Sequence, residues 1–166
     1  DMVPFEQRPW MKSAETADRV IEAIVEGRHR FIRANFAAGD MVGHTGVLHA
    51  AQIAVEAVDL SLGRIIPVVE RARGVLVVTA DHGNSDDMVE RDKNGQPKTC
   101  EDGRVKPKTS HTLNPVEFFV FDASGRDVAL RDDLAEAGLA NVAATLIELL
   151  GYEAPSIYDP SLLSRG

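Results

Sequence analysis

The feature that most constrains this chain is an apolar run that ends abruptly in an aspartate and a histidine. Residues 75–79 read Val-Leu-Val-Val-Thr, with four β-branched side chains and no polar alternation, and Ala80, Asp81 and His82 follow directly. Such a run predicts a strand buried on both faces, as at the centre of a parallel sheet. Ligands bind beyond the carboxyl ends of these strands, because the following loops converge there. We therefore expect Asp81 and His82 to lie at a functional site.

The flanking sequence predicts further elements of an α/β fold. A strand is predicted over 29–37, just before Asp40, and a second one over 116–121. Helical periodicity predicts helices from Ser13, a plausible N-cap, to Gly27, from Val47 past Val69, and over 139–150 with Gly151 at C′. Proline within the second helix, at position 67, should kink or divide it. The strand over 29–37, this helix and the strand over 75–79 would form a right-handed βαβ unit.

Size and charge exclude several classes of protein. The 166 residues, 44% of them hydrophobic, can bury one ordinary core, so we expect a single domain. The net charge of −8 disfavours nucleic acid as a partner. No apolar run approaches the roughly 20 residues that span a bilayer, so no membrane partner is expected. Cys100 is the only cysteine, so an intrachain disulfide is excluded, and a cytoplasmic location is expected.

A polar segment separates the Asp-His pair from the next histidine. Residues 90–108 carry many charges, and Asn94-Gly95 predicts a hairpin turn. The segment is either a lid over the site or a solvated β-excursion, and its charge favours the excursion.

Five residues in loops near the predicted strand ends are candidate metal ligands. They are Asp40, His44, Asp81, His82 and His111. Carboxylates and imidazoles without thiolates suit manganese, zinc or iron better than magnesium. Five such ligands suffice for two ions, and a metal pair roughly 3.5–4 Å apart is a common solution for phosphoryl transfer.

Each candidate also has a purely structural interpretation. The two aspartates could cap turns, and His44 or His111 could be a hydrogen-bonded histidine of the fold. His29 and His49 we interpret as structural or solvent-exposed. The combination of five residues favours a metal site more strongly than any single motif does.

Four motifs, in order and spacing, closely resemble the cofactor-independent phosphoglycerate mutases of the alkaline phosphatase superfamily. They are the segments 35–46 (NFAAGDMVGHTG), 54–59 (AVEAVD), 79–84 (TADHGN) and 111–116 (HTLNPV). The resemblance implies an alkaline-phosphatase-like three-layer α/β sandwich with a mostly parallel sheet, of which this chain is the carboxyl-terminal portion. It also implies an isomerase that interconverts 3-phosphoglycerate and 2-phosphoglycerate in glycolysis through a phosphoserine.

The resemblance further implies the role of each candidate ligand. Asp40, His44 and His111 would hold one ion, while Asp81 and His82 would supply part of a second site. Two Mn²⁺ ions are expected, with Mg²⁺, Zn²⁺ and Co²⁺ as alternatives. The nucleophilic serine of the family, a further aspartate and an inserted substrate-binding domain match nothing in this chain. We therefore expect the isolated chain to be inactive, and no substrate-binding residue is assigned.

Two other functions stay open at this point. One is a different phosphomutase or phosphatase of the same superfamily, and the other is a non-catalytic metal-binding module. The complete enzyme is expected to be a monomer that binds phosphoglycerate. An incomplete sheet would leave an edge and apolar surface uncovered, so we expect this chain to self-associate.

Overall fold

The computed structural model describes residues 3–164, which form four α-helices and two β-strands. In chain order they are α1 (Ser13–Glu26), α2 (Ala38–Gly43), α3 (Leu48–Arg71), β1 (Val75–Thr79), β2 (Phe118–Asp122) and α4 (Val142–Leu149). Short 3-10 turns lie at Phe5–Gln7 and Leu139–Asn141. Among the described residues, no helix has both the length and the apolar composition needed to cross a bilayer.

Helices α1 and α3 pack against each other through small and β-branched side chains. Ala17, Ile65 and Val69 are buried at this contact. Gly27 ends α1 as predicted, with φ of 66° and its N–H donated to the carbonyl of Ile24. The cap differs from the prediction, because Ser13 is the first helical residue and no side chain caps the helix.

Helix α3 runs without a break through its internal proline. Pro67 was expected to kink or divide it; it does not divide the helix, because residues 48–71 form one helix of 24 residues. Buried Ile65, Val68 and Val69 surround the proline turn, and their packing stabilises that turn despite the lost hydrogen bond.

The strands differ from the predicted crossover unit. β1 pairs antiparallel with β2, in a register that places Val75 opposite Asp122 and Thr79 opposite Phe118. Most of β1 is only partly buried. The prediction of a parallel βαβ unit is therefore wrong for residues 3–164, where β1 and β2 form the only sheet.

The strand predicted over 29–37 is also absent, since this segment is irregular. Its apolar side chains meet other surroundings than a sheet. Phe36 packs on the α1–α3 core, whereas Phe31 is half exposed. An apolar run can cover helices without forming a ladder, which explains the error.

A second core joins α2 to the start of α3. Its buried residues are Ala38, Val42, Ala50, Ala51, Ala54 and Met88. Asp40 therefore lies in a short helix rather than in the predicted loop, and His44 follows one turn later at its C-cap. One helical turn brings two candidate ligands to the same side of α2.

The charged segment 90–108, called the excursion below, folds back on itself twice. Turns at Gly95 and Gly103, both with φ near 80°, separate three short pieces of chain. Glu90, Lys98 and Lys106 form a ring in which each N–H donates to the carbonyl of another member, at 2.8–3.0 Å. The predicted hairpin turn at Asn94-Gly95 is confirmed, and the segment is almost entirely solvent-exposed.

Candidate metal centre

Three of the five candidate ligands converge on one point. The Oδ1 atom of Asp40 lies 3.2 Å from Nε2 of His44 and 3.1 Å from Nε2 of His111. The two Nε2 atoms are 3.2 Å apart. These three atoms form a nearly equilateral triangle, which we call the ligand triangle.

The size of the ligand triangle suits a divalent transition metal. An ion about 2.1 Å from each atom would make angles of about 95–100° between them. That value falls between the roughly 90° of octahedral and the roughly 109° of tetrahedral coordination. One face of a coordination sphere is thus already assembled, and the partly exposed side chains leave its other side open to solvent or a further ligand.

The hydrogen bond of the His44 ring favours a cation at the same point. Its Nδ1 lies 2.6 Å from the carbonyl oxygen of Thr109. A carbonyl only accepts, so Nδ1 donates to it, and in the neutral tautomer with that proton Nε2 presents a lone pair. That lone pair faces the Asp40 carboxylate, an arrangement that is repulsive unless a proton or a metal ion lies between them. The donor set therefore fits a divalent ion.

The loop after β1 orients the Asp40 carboxylate. Asn84 donates from Nδ2 to Oδ1 of Asp40 at 2.6 Å and to its carbonyl oxygen at 3.2 Å. Ser85 donates from Oγ to the carbonyl of Gly39 at 2.6 Å. These contacts join α2 to the loop after β1, residues 80–86.

Asp81 and His82 lie beside the ligand triangle but are not part of it. The His82 ring stacks on His111 with 3.6 Å between ring centroids and 19° between ring planes. Asp81 points into solvent, with its side chain 91% exposed, and its Oδ1 atom lies 3.6 Å from Nε2 of His82. The structure therefore brings together three of the five predicted ligands and leaves Asp81 apart.

A polar cluster fixes the segment that carries His111. Thr112 donates from its backbone N–H to the carbonyl of Gly83 at 2.9 Å, and its hydroxyl donates to the carboxylate of Asp86. Asn114 donates to the same carboxylate at 2.5 Å. Burial raises the pKa of Asp86, but the hydrogen bonds from Asn114 and Thr112 outweigh it and hold that pKa below its ordinary value.

The base of the excursion fixes the segment that carries Thr109. Lys108 pairs with Asp87 at 3.0 Å, and its N–H donates to the carbonyl of Met88 at the same distance. The hydrogen bond from Lys108 lowers the pKa of Asp87. A β-carbon added to Gly46 would lie 2.6 Å from Pro107, so this base packs closely on the turn after His44.

Sequence reasoning missed four residues that shape the site: Asn84, Asp86, Thr109 and Thr112. Asn84 and Thr112 belong to the motifs that carry the resemblance, but their roles become clear only from their contacts in the structure. Thr109 acts through its carbonyl, which no side-chain pattern can reveal. His29 and His49 are exposed, in agreement with their interpretation.

Comparisons with known proteins match most of this chain. A family model described as the metalloenzyme superfamily matches residues 1–154. The 2,3-bisphosphoglycerate-independent phosphoglycerate mutase of Trypanosoma brucei brucei is 53% identical over 165 residues, covering 98% of this chain and 30% of that protein. The phosphoglycerate mutase 1 of that kind from Arabidopsis thaliana is 44% identical over 162 residues, covering 97% of this chain and 29% of that protein.

A solved structure agrees with these relatives. A structure titled as Leishmania mexicana phosphoglycerate mutase at low cobalt concentration matches with a TM-score of 0.95 and 52% identity. The match covers 99% of this chain and 30% of that one. The resemblance and the alkaline-phosphatase-like α/β class expected from sequence are thereby confirmed. The chain spans about 30% of the length of the curated relatives that it matches.

Proposed function

This chain belongs to the metalloenzyme superfamily, and from that membership we propose that it is part of a cofactor-independent phosphoglycerate mutase. The names of its relatives support the proposal, as does the ligand triangle. The proposal depends most on the triangle. Its three converging ligand atoms suit metal binding and have no evident structural role in the fold. The whole enzyme would interconvert 3-phosphoglycerate and 2-phosphoglycerate in glycolysis, in the cytoplasm.

In this proposal the five predicted ligands serve two divalent ions, with Mn²⁺ as the expected metal. Asp40, His44 and His111 would hold one ion, and Asp81 with His82 would contribute to the second. When bound, such ions lower the pKa of a coordinated hydroxyl and neutralise charge on a transferring phosphoryl group. The partly exposed face of the ligand triangle is where that group would approach.

The residues of this chain supply binding and orientation rather than the nucleophile. The Thr109 carbonyl holds the His44 ring, and the cluster around Asp86 holds the segment of His111. We assign no phosphoryl-carrying serine to this chain. The phosphoserine step would use a residue elsewhere in the enzyme, so we propose that the isolated chain has no mutase turnover.

Two alternatives were left open by the sequence. The relatives' names favour the mutase over another phosphomutase or phosphatase. A non-catalytic metal-binding module would also contain the ligand triangle, but a full-length protein that includes it would show no turnover.

We also propose that phosphoglycerate is the substrate, with no nucleic acid or membrane partner, and that the complete enzyme is a monomer. The isolated chain would self-associate through apolar side chains such as Phe31 and Phe119, which are more than half exposed. Sedimentation velocity tests this, and a concentration-independent monomer would contradict it.

The test of function combines metal binding with turnover. We would titrate Mn²⁺ into this chain and its His111→Ala variant, following the free ion by electron paramagnetic resonance. Turnover of 3-phosphoglycerate would be measured by coupling to enolase, in a protein of the relatives' length that carries this chain. Binding and turnover that both vanish with His111→Ala would support the proposal. Binding without turnover in the full-length protein would indicate the non-catalytic module.

A further inference from the structure

Asn84 stands out in the candidate metal centre because it is buried. It is 5% exposed, whereas the side chains of Asp40, His44 and His111 are between 33% and 47% exposed. It lies in the motif that follows β1, two residues after His82. Its side chain therefore reaches the ligand triangle from the protein side rather than from solvent.

Both hydrogen bonds of the Asn84 amide go to one residue. Nδ2 donates to Oδ1 and to the main-chain oxygen of Asp40. Both partners only accept, so the orientation of the amide is determined by its surroundings. The Oδ1 atom that Asn84 holds is also the one that faces Nε2 of His44 and of His111. Asn84 thus fixes the oxygen that completes the triangle.

The other end of the same amide is poorly satisfied. The Oδ1 atom of Asn84 is buried and has no hydrogen-bond partner within residues 3–164. A buried acceptor without a partner destabilises the fold, so a residue of this kind calls for an explanation beyond stability. A side chain at position 43 would displace this amide, because an added β-carbon would lie 2.5 Å from its oxygen.

We propose that Asn84 is a positioning residue of the metal centre, which holds the Asp40 carboxylate so that the ligand triangle is assembled before an ion binds. The inference rests on the proposed function only in that the triangle binds a divalent ion. Partners that orient metal ligands typically contribute roughly 10–100-fold to affinity. We expect an effect of that size here.

The test compares two buried asparagines. Asn84→Ala removes the contact with Asp40, and Asn141→Ala is the matched control. Asn141 is 3% exposed and donates from Nδ2 to the carbonyl of Pro160 at 2.7 Å, far along the chain from the ligands. Mn²⁺ affinity of both variants and the parent is measured by electron paramagnetic resonance, with thermal unfolding of each in parallel.

We expect Mn²⁺ affinity to fall roughly 10–100-fold in Asn84→Ala and to stay unchanged in Asn141→Ala. Equal affinity in the parent and Asn84→Ala would overturn the inference while leaving the metal site intact. A parent that binds no Mn²⁺ would instead overturn the proposed function, and the inference with it.

A measurement on the unmodified chain covers the case in which Asn84→Ala does not fold. With Co²⁺ as a paramagnetic probe, the side-chain amide resonances of Asn84 should show large hyperfine shifts, because Nδ2 contacts a metal ligand. Those of Asn141 should stay in place. Absence of a shift at Asn84 in a Co²⁺-loaded chain would overturn the proposal.

Discussion

The ligand triangle and the Asp81-His82 pair are made of the same two residue types, yet they differ in how firmly they are held. Each member of the triangle is positioned by neighbours: Asn84 on Asp40, the Thr109 carbonyl on His44, and Thr112 beside His111. Oδ1 of Asp81 lies 3.6 Å from Nε2 of His82, and the Asp81 side chain is almost fully exposed. Convergence of ligand atoms on one point therefore depends on the groups behind the side chains, and residue type alone does not provide it.

The largest expected effect separates the triangle from the pair directly. His111→Ala removes one of three ligand atoms, so Mn²⁺ affinity of this chain should fall by more than about 100-fold, beyond the usual effect of an outer partner. Asp81→Ala should change it by less than about threefold, because Asp81 is not part of the triangle. Titration by electron paramagnetic resonance measures both. Equal losses in the two variants would mean that the pair binds the same ion.

Two glycines of α2 offer a sharper test of the support behind Asp40. A β-carbon on Gly43 would lie 2.5–2.6 Å from Asn84 and Ser85, whereas one on Gly39 would meet nothing within 4 Å. Gly43→Ala should displace the Asn84 amide, destabilise the fold by about 1–3 kcal/mol and lower Mn²⁺ affinity by roughly tenfold.

Gly39→Ala is the matched control in the same helix. It should leave Mn²⁺ affinity unchanged and should not destabilise the fold, because the added β-carbon meets no neighbouring atom. Thermal unfolding and Mn²⁺ titration report the two quantities. Equal Mn²⁺ affinity in the two glycine variants would argue against a link between Asn84 and the ligand triangle.

A smaller effect is expected from the cluster behind His111. Thr112→Val keeps the shape of the side chain but removes the hydroxyl that donates to Asp86. The fold should lose about 1 kcal/mol, since Asp86 is exposed enough to regain water. Thr79→Val, which removes an exposed hydroxyl bonded to the Glu117 carbonyl, should cost less. Urea unfolding compares them, and the reverse order would contradict the assignment.

The smallest effect concerns the base of the excursion and depends on pH. Hydrogen bonding to Lys108 lowers the pKa of Asp87 in the folded chain. Its stabilisation is therefore fully present above the unfolded value of about 3.9 and is lost as the pH falls through the folded pKa. The free energy of unfolding of the parent should exceed that of Asp87→Asn near neutral pH, and the two values should converge in acid.

Asp102 provides the control for this prediction. It pairs with Arg104 in an exposed part of the excursion, and a hydrogen bond from Arg104 likewise lowers its pKa. Asp102→Asn should show the same sense of pH dependence in urea unfolding. Only Asp87→Asn should also weaken Mn²⁺ binding, by less than about threefold, since Lys108 adjoins Thr109. Equal Mn²⁺ affinity in Asp87→Asn and Asp102→Asn would mean that the ion pair between Asp87 and Lys108 does not influence metal binding.

The sequence predicted the helices and the identity of the candidate ligands better than it predicted the sheet. The periodicity of α1 and α3 and the stop at Gly27 are local signals, and the structure has them. The run over 75–79 indicated a strand correctly, but its partner and direction depend on distant chain. The run over 29–37 has the composition of a strand and covers helices instead.

The site divides in the same way. The sequence motifs identified Asp40, His44 and His111, which the structure brings together. They could not reveal that Asp40 lies in a helix, or that a main-chain carbonyl accepts a hydrogen bond from Nδ1 of His44. Those facts arise from packing between segments tens of residues apart, which no local pattern records.

The ring of hydrogen bonds among Glu90, Lys98 and Lys106 has a consequence for how this surface can vary. The backbone N–H and carbonyl of each member are hydrogen-bonded within the ring. The two turns at Gly95 and Gly103 therefore project from a junction that is already hydrogen-bonded. Residues inserted or deleted at either turn need not move Lys108 or Thr109. The excursion can therefore lengthen or shorten between related chains, or carry a foreign peptide or a fluorescent label, while the metal centre keeps its geometry.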